Sequence, residues 1–187
     1  KIEGTTIGKN KVTLNANISS QYISALLLIA PKLEKGIELT LNGEKTSMPY
    51  IKMTLALLDS IGVETTFNEN VIQVQHLSKI SRQKITIESD WSSASYFYSI
   101  VAMSTVGTKI TLISYKQDSF QGDSILAEIY EKLGVETVYD DKAITLIKKN
   151  STLFPINLNL INSPDIAQTI VVSCFGLGIA CSLSGLH

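Results

Sequence analysis

The chain has 187 residues, of which 44% are hydrophobic and 18% charged, a globular composition and not a disordered one. Lys and Arg number 16 against 17 Asp and Glu, so the formal net charge is −1, which argues against a general electrostatic nucleic-acid binder. No apolar run reaches the roughly 18 residues a membrane span needs, and the longest candidate, residues 170–183, is broken by Ser173, Gly176, Gly178 and Ser182.

Self-similarity organises the chain. Lys11-Val12-Thr13-Leu14 predicts a strand, and Ser19-Ser20 a helix start, where a hydroxyl satisfies an orphan backbone N–H. An apolar helix follows over residues 20 to about 33, then a second strand over 37–41. The next helix has Pro49 in its first turn and Gly62 as its stop. Its Ile51, Leu55 and Leu58, at i, i+4 and i+7, form one buried stripe. A hairpin turning at Asn68-Glu69-Asn70 closes the copy.

The order then returns 71 to 73 positions later. Lys84-Ile85-Thr86-Ile87 predicts a strand, Ser92-Ser93 the start of a helix over 93 to about 106, and 109–113 a strand. Ile125, Ile129 and Leu133 predict a helical stripe ending at Gly134, and Asp140-Asp141 a hairpin turn. Gly62-Val63-Glu64-Thr65 recurs as Gly134-Val135-Glu136-Thr137. A third copy opens with a strand over 156–160, sets Pro164-Asp165 in the place of the serine pair, and predicts a helix over 166–183. Each copy reads β-α-β-α-β-β, and the fold class is α/β. The chain begins at Lys1 without a Met and ends straight after an apolar segment with no helix-stop signal, so it reads as a piece of a longer protein.

Cys174 and Cys181 lie seven apart within the third predicted helix. That spacing places them on one face about 10 Å apart, out of disulfide reach, as buried free thiols of a reducing compartment. His76 and His187 lack partners for a metal site, and no Cys/His spacing suggests zinc.

The equivalent helix starts are the candidate chemistry: Ser19-Ser20-Gln21, Ser92-Ser93-Ala94 and Pro164-Asp165. Free N–H groups and a partial positive charge suit phosphate or carboxylate there. Capping alone accounts for the serines, but Gln21 is not needed by a cap. Asp165 is either a carboxylate favoured by the helix dipole or a proton-transferring group in a cleft. Ser47 and Tyr50 open the second helix of the first copy, and Gln121-Gly122-Asp123 hold the matching place in the second. No dinucleotide, P-loop, nucleophile-elbow or zincin motif is present.

Taken together, Ser19-Ser20-Gln21-Tyr22 with Ala30-Pro31, Ser47-Met48-Pro49-Tyr50, Asp90 with Ser92-Ser93-Ala94-Ser95-Tyr96-Phe97, Gln121-Gly122-Asp123, and Pro164-Asp165 with Ala167-Gln168-Thr169 resemble the enolpyruvyl transferase family. They resemble most the branch whose acceptor is shikimate 3-phosphate, and less the branch acting on UDP-N-acetylglucosamine. The resemblance implies a two-domain fold of repeated β-α-β-α-β-β units, with 1–84 in the first domain, 85–187 in the second, and a crossing near 83–90. It implies enolpyruvyl transfer from phosphoenolpyruvate to the 5-hydroxyl of shikimate 3-phosphate in aromatic amino-acid biosynthesis, in the cytoplasm and without metal or organic cofactor. Ser19, Ser20, Gln21, Ser47 and Tyr50 would bind substrate, and Asp165 would contact the shikimate hydroxyls and accept the proton. Met48, Lys52 and Trp91 depart from the family pattern. The family's remaining cationic ligands and glycine-rich loop fall outside this chain, so the piece alone is expected to be inactive. The parent is expected to be a monomer, and the piece to self-associate through surface such as Val171, Val172 and Phe175. Neither nucleic acid nor membrane is expected as a partner, and a non-catalytic repeat binding module, whose serines are only caps, is the rival from a different class.

Overall fold

The computed structural model describes residues 3, 7–17, 19–43, 48–150 and 153–186. It divides into two compact units, Lys1–Lys84 and Ile85–His187.

In the first unit the predicted order holds: β1 (Lys11–Asn15), α1 (Ser20–Ile29), β2 (Ile37–Asn42), α2 (Met48–Ser60), β3 (Thr65–Asn68) and β4 (Val71–Val74). α1 is shorter than the predicted 20–33 because it tightens into a 3₁₀ turn at Ala30–Lys32, where Pro31 has no N–H to continue the ladder. The sheet runs β1-β2-β4-β3. β1 and β2 are parallel, while β4 is antiparallel to both β2 and β3, so β3 runs with β2. The α2 stripe is buried as expected, at Ile51, Leu55 and Leu58, against Ile23 and Leu27 of α1 and Leu39 of β2. Gly62 ends α2 at φ +89°, with the Val63 amide donating to Leu58 O at 3.1 Å and the Gly62 amide to Asp59 O at 2.9 Å. That paired closure requires a left-handed residue, which glycine supplies without steric cost. Gly36 is equally constrained: at φ +59° its missing Cβ would collide with the Val74 carbonyl.

The second unit contains α3 (Trp91–Ala102), β5 (Lys109–Ile113), α4 (Leu126–Glu131) behind a 3₁₀ turn at Gly122–Ile125, β6 (Val135–Asp140) and β7 (Ala143–Lys148). β8 (Ile156–Asn159), a 3₁₀ turn at Pro164–Ile166, α5 (Ala167–Leu177) and β9 (Cys181–Ser184) complete it. Its sheets are β5-β7-β6 and β8-β9. A core of Trp91, Tyr98, Leu126, Tyr130, Leu133 and Ile170 lies between the helices and β7.

Three expectations are corrected here. Residues 84–87 alternate like a strand but form none; Ile85 and Ile87 are exposed, and β5 stands at a sheet edge. Alternation predicts a face to bury, but a strand also needs a backbone partner, and among the described residues β5 is paired with β7 alone. Next, α3 starts two residues before the predicted 93, because Asp90 and not a serine is its cap, and it stops at Ala102. Finally, the third helix does not run to 183. Gly178 at φ +68° stops it after Leu177, and the chain returns as β9, parallel to β8 with Ile156 opposite Cys181. The β8-α5-β9 segment thus repeats β1-α1-β2, and the third copy extends one strand further than expected. The helical spacing of Cys174 and Cys181 fails with it; both are free thiols, as expected, but only Cys174 is buried and Cys181 is half-buried.

Candidate functional site

Strand direction fixes where the helices begin. α1 and α2 are each the return leg between parallel strands, so both start beyond the carboxyl ends of β1 and β2. That edge of an open α/β sheet is where ligands bind. Ser19 caps α1, its Oγ accepting the Gln21 amide at 3.3 Å, and no acidic residue occupies the first turn. Ser19 and Gln21 are exposed and Ser20 is half-buried. Tyr50 sits in the first turn of α2. Thr54 Oγ1 lies 3.1 Å from Ser24 Oγ and donates to Tyr50 O at 2.9 Å, which docks α2 on α1 one turn below both helix starts. The unit therefore brings Ser19, Ser20, Gln21 and Tyr50 to one end of the α1–α2 pair. Ser47 lies outside the described residues. An anion at this end gains the interaction of a helix dipole, about 0.3–1 kcal/mol per helix at an exposed site.

The second unit repeats the arrangement with different occupants. β5 and β6 are both antiparallel to β7, hence parallel to each other, and β8 is parallel to β9. α4 and α5 therefore also begin at carboxyl ends of strands. Asp165 stands in the 3₁₀ turn that leads into α5, with an exposed side chain. Its equivalents Ser92 and Ser93 do not cap α3 and are already engaged. Asp90 accepts from the Ser92 amide at 3.1 Å, the Ser93 amide at 3.2 Å and Ser93 Oγ at 2.6 Å. Burial pushes the Asp90 carboxyl up, but these hydrogen bonds, led by Ser93 Oγ, outweigh it and hold it below the ordinary carboxylate value. Ser92 Oγ donates to the buried carboxylate of Asp123 at the start of the α4 segment. The start of α3 is thus filled by the protein's own carboxylates, whereas the start of α1 carries hydroxyls and an amide.

Residue-type reasoning at the helix starts missed the groups that position α3. Glu88 accepts from Trp91 Nε1 at 2.9 Å, the Lys116 amide at 3.1 Å and Ser119 Oγ at 2.9 Å. Gln121 accepts the Trp91 amide at 2.9 Å and donates to Ser89 O at 2.8 Å. Trp91 is wholly buried and meets Tyr115 edge-on, with ring centroids 5.2 Å apart. An Asp two residues before a serine pair was a legible cap signal; the Glu88 network has no local pattern. Val171, Val172 and Phe175 are exposed on α5, as expected. Among the described residues, no cluster of three metal-ligating side chains occurs, and no helix is long and apolar enough to cross a membrane.

Residues 1–182 match the family described as EPSP synthase (3-phosphoshikimate 1-carboxyvinyltransferase). A 3-phosphoshikimate 1-carboxyvinyltransferase of Bacteroides fragilis is 39% identical over 187 residues, covering 100% of this chain and 45% of that protein. One from Colwellia psychrerythraea is 36% identical over 175 residues, covering 92% of this chain and 40% of that protein. In fold, an EPSP synthase of Acinetobacter baumannii superposes with a TM-score of 0.68 at 19% identity, over 88% of this chain and 38% of that one. The chain belongs to the EPSP synthase family, and it spans about 45% of the length of the first of these relatives.

Proposed function

We propose that the whole protein transfers the enolpyruvyl group of phosphoenolpyruvate to the 5-hydroxyl of shikimate 3-phosphate and releases phosphate. The relatives carry that activity in their names. The observation that supports it most in this chain is the gathering of Ser19, Ser20, Gln21 and Tyr50 at one end of the first unit, where two helices start without a carboxylate of their own. Both substrates are anions, and that end offers hydroxyl and amide donors on a positive dipole.

In this reading Ser19, Ser20 and Gln21 hold shikimate 3-phosphate, and Gln21 also borders phosphoenolpyruvate. Ser47 and Tyr50 contact the same shikimate ligand. Asp165 takes the proton of the 5-hydroxyl as its oxygen bonds to C2 of phosphoenolpyruvate. The C3 methylene gains a proton, and a tetrahedral intermediate forms. Loss of a proton from C3 and of phosphate from C2 then restores the enol ether. The exposed side chain of Asp165, at the carboxyl end of β8, is accessible for that transfer. The 187-residue chain by itself should not turn over, because it spans less than half of the related enzyme.

The test is phosphate release by the whole protein given phosphoenolpyruvate with each acceptor in turn. Release with shikimate 3-phosphate and not with UDP-N-acetylglucosamine is expected. Release with neither would remove the assignment and favour a non-catalytic repeat module.

A further inference from the structure

Thr54 is a polar residue of α2 with only 6% of its surface exposed. Its Oγ1 lies 2.9 Å from Tyr50 O and 3.1 Å from Ser24 Oγ. A hydroxyl has one proton. The carbonyl takes it, so the half-buried Ser24 hydroxyl donates to Thr54 Oγ1, and the three groups form a chain from α1 to the first turn of α2. Ser24 stands four residues after Ser20 and three after Gln21, and Thr54 four after Tyr50. Each therefore lies on the face of its helix one turn below a candidate ligand residue. A hydroxyl bonded to the carbonyl four residues back also bends a helix at that turn, and here the turn carries Tyr50. The second copy of the repeat packs its helices without this link. At the offset that carries Gly62 to Gly134, Thr54 becomes Leu126, a wholly buried core residue. At the offset that carries Ser19-Ser20 to Ser92-Ser93, Ser24 becomes Phe97. The copy with apolar residues at these places has a helix start filled by Asp90 and Asp123. The copy with the hydroxyls is the one whose helix starts carry Ser19, Ser20, Gln21 and Tyr50.

We propose that Thr54 is a positioning residue for shikimate 3-phosphate: with Ser24 it sets the separation of the α1 and α2 starts and the orientation of Tyr50 toward the ligand. This role rests on the function proposed above. Apolar contact holds two helices together but lets them slide and rotate, whereas hydrogen bonds fix distance and direction. A polar ligand gripped from two helices binds more tightly when both are already held in the bound geometry. Thr54 transfers no proton; it acts through Tyr50 and the start of α1. Loss of its hydroxyl weakens ground state and transition state alike, which raises KM and leaves kcat.

The experiment measures binding of shikimate 3-phosphate to the whole protein by titration calorimetry, and phosphate release with each substrate varied in turn. Thr54→Val keeps the branched shape and removes the hydroxyl. It should weaken shikimate 3-phosphate binding about five- to tenfold, the net worth of a hydrogen bond, and raise the KM of that substrate to match. The kcat should stay near the wild-type value. Thr54→Ser returns the hydroxyl and should return the binding. Ser24→Ala cuts the chain from the other helix, leaves α2 untouched, and should weaken binding in the same direction. In a Tyr50→Ala background the loss caused by Thr54→Val should shrink, because Tyr50 is one of the groups it positions. Thr54→Val that binds as wild type, a loss shared equally by Thr54→Ser, or a fall in kcat at unchanged KM would overturn the positioning role, while wild-type turnover with shikimate 3-phosphate leaves the proposed function standing. Wild-type protein that neither binds nor turns over shikimate 3-phosphate would remove the function and this role together.

Discussion

Ser99 and Ser173 stand 74 positions apart in sequence, and their hydroxyls share a 2.8 Å hydrogen bond in the core of the second unit. One lies in α3 and the other in α5, at nearly equivalent places in successive copies of the repeat. Four residues on, Met103 packs against Gly176, where a Cβ would strike its sulfur. The two helices therefore run parallel, side by side, displaced by one repeat. Tyr130 of α4 joins them, with its hydroxyl 2.7 Å from Ser173 Oγ. Removing Ser173 leaves the Tyr130 and Ser99 hydroxyls buried with fewer partners, a cost of about 1–3 kcal/mol. Ser99→Ala should cost less, and the double variant less than the sum. Urea unfolding followed by Trp91 fluorescence checks this, because the chain has 1 Trp and it lies in this unit. Strict additivity would contradict the network.

Glu88 carries the indole N–H of Trp91. Glu88→Ala should strand that donor in the core and destabilise the second unit by about 1–3 kcal/mol. Glu88→Gln keeps an acceptor and should recover part of the loss. The first unit does not contain this network, so resistance of α1 and α2 amides to hydrogen exchange should stay unchanged.

Asp90 predicts an acid limb. Its carboxyl is held below the ordinary value in the folded chain, so its contribution is present above the unfolded Asp pKa of about 3.9 and is lost as pH falls through the folded value. Asp90→Ala should cost about 1 kcal/mol at neutral pH, the usual worth of a helix cap. The gap between variant and wild type should shrink below pH of about 4. A gap independent of pH would mean that the carboxylate is not what caps α3.

At the alkaline end the buried tyrosines dominate. Burial raises Tyr98, against a partial opposing effect of its 2.8 Å hydrogen bond to Thr137 Oγ1, and it raises Tyr130 as well. A raised folded pKa means stability fully present below the unfolded value of about 10 and lost as pH climbs through the folded one. The second unit should therefore weaken above that pH. Tyr98→Phe should lose about 1 kcal/mol at neutral pH with its hydrogen bond, yet show a flatter alkaline limb in pH-dependent urea unfolding.

The first unit was legible because each element carried its own punctuation. Pro49 and Gly62 bracket α2, and the stripe of Ile51, Leu55 and Leu58 is its buried face. Residues 84–87 misled because Ile85 and Ile87 show strand alternation, yet the segment does not pair with the open edge of β5 and both side chains stay exposed. Gly178 was hidden by the apolar residues on both sides of it, so a helix stop looked like a helix interior, and β9 was missed with it. At the helix starts, residue type revealed Ser19 as a cap but not that Ser92 and Ser93 serve Asp123 and Asp90. Those bonds link residues that only the folded unit brings together.

The most direct measurement is the turnover of the whole protein with Asp165→Asn, with phosphoenolpyruvate and shikimate 3-phosphate both saturating. Asn keeps the size of the side chain and one carbonyl acceptor toward the shikimate hydroxyls, but it cannot take up the proton. The expected result is a kcat lower by about 10²–10⁴-fold, the typical worth of a general base, with the binding of shikimate 3-phosphate largely retained. Turnover equal to wild type would contradict the role assigned to Asp165 and the mechanism built on it.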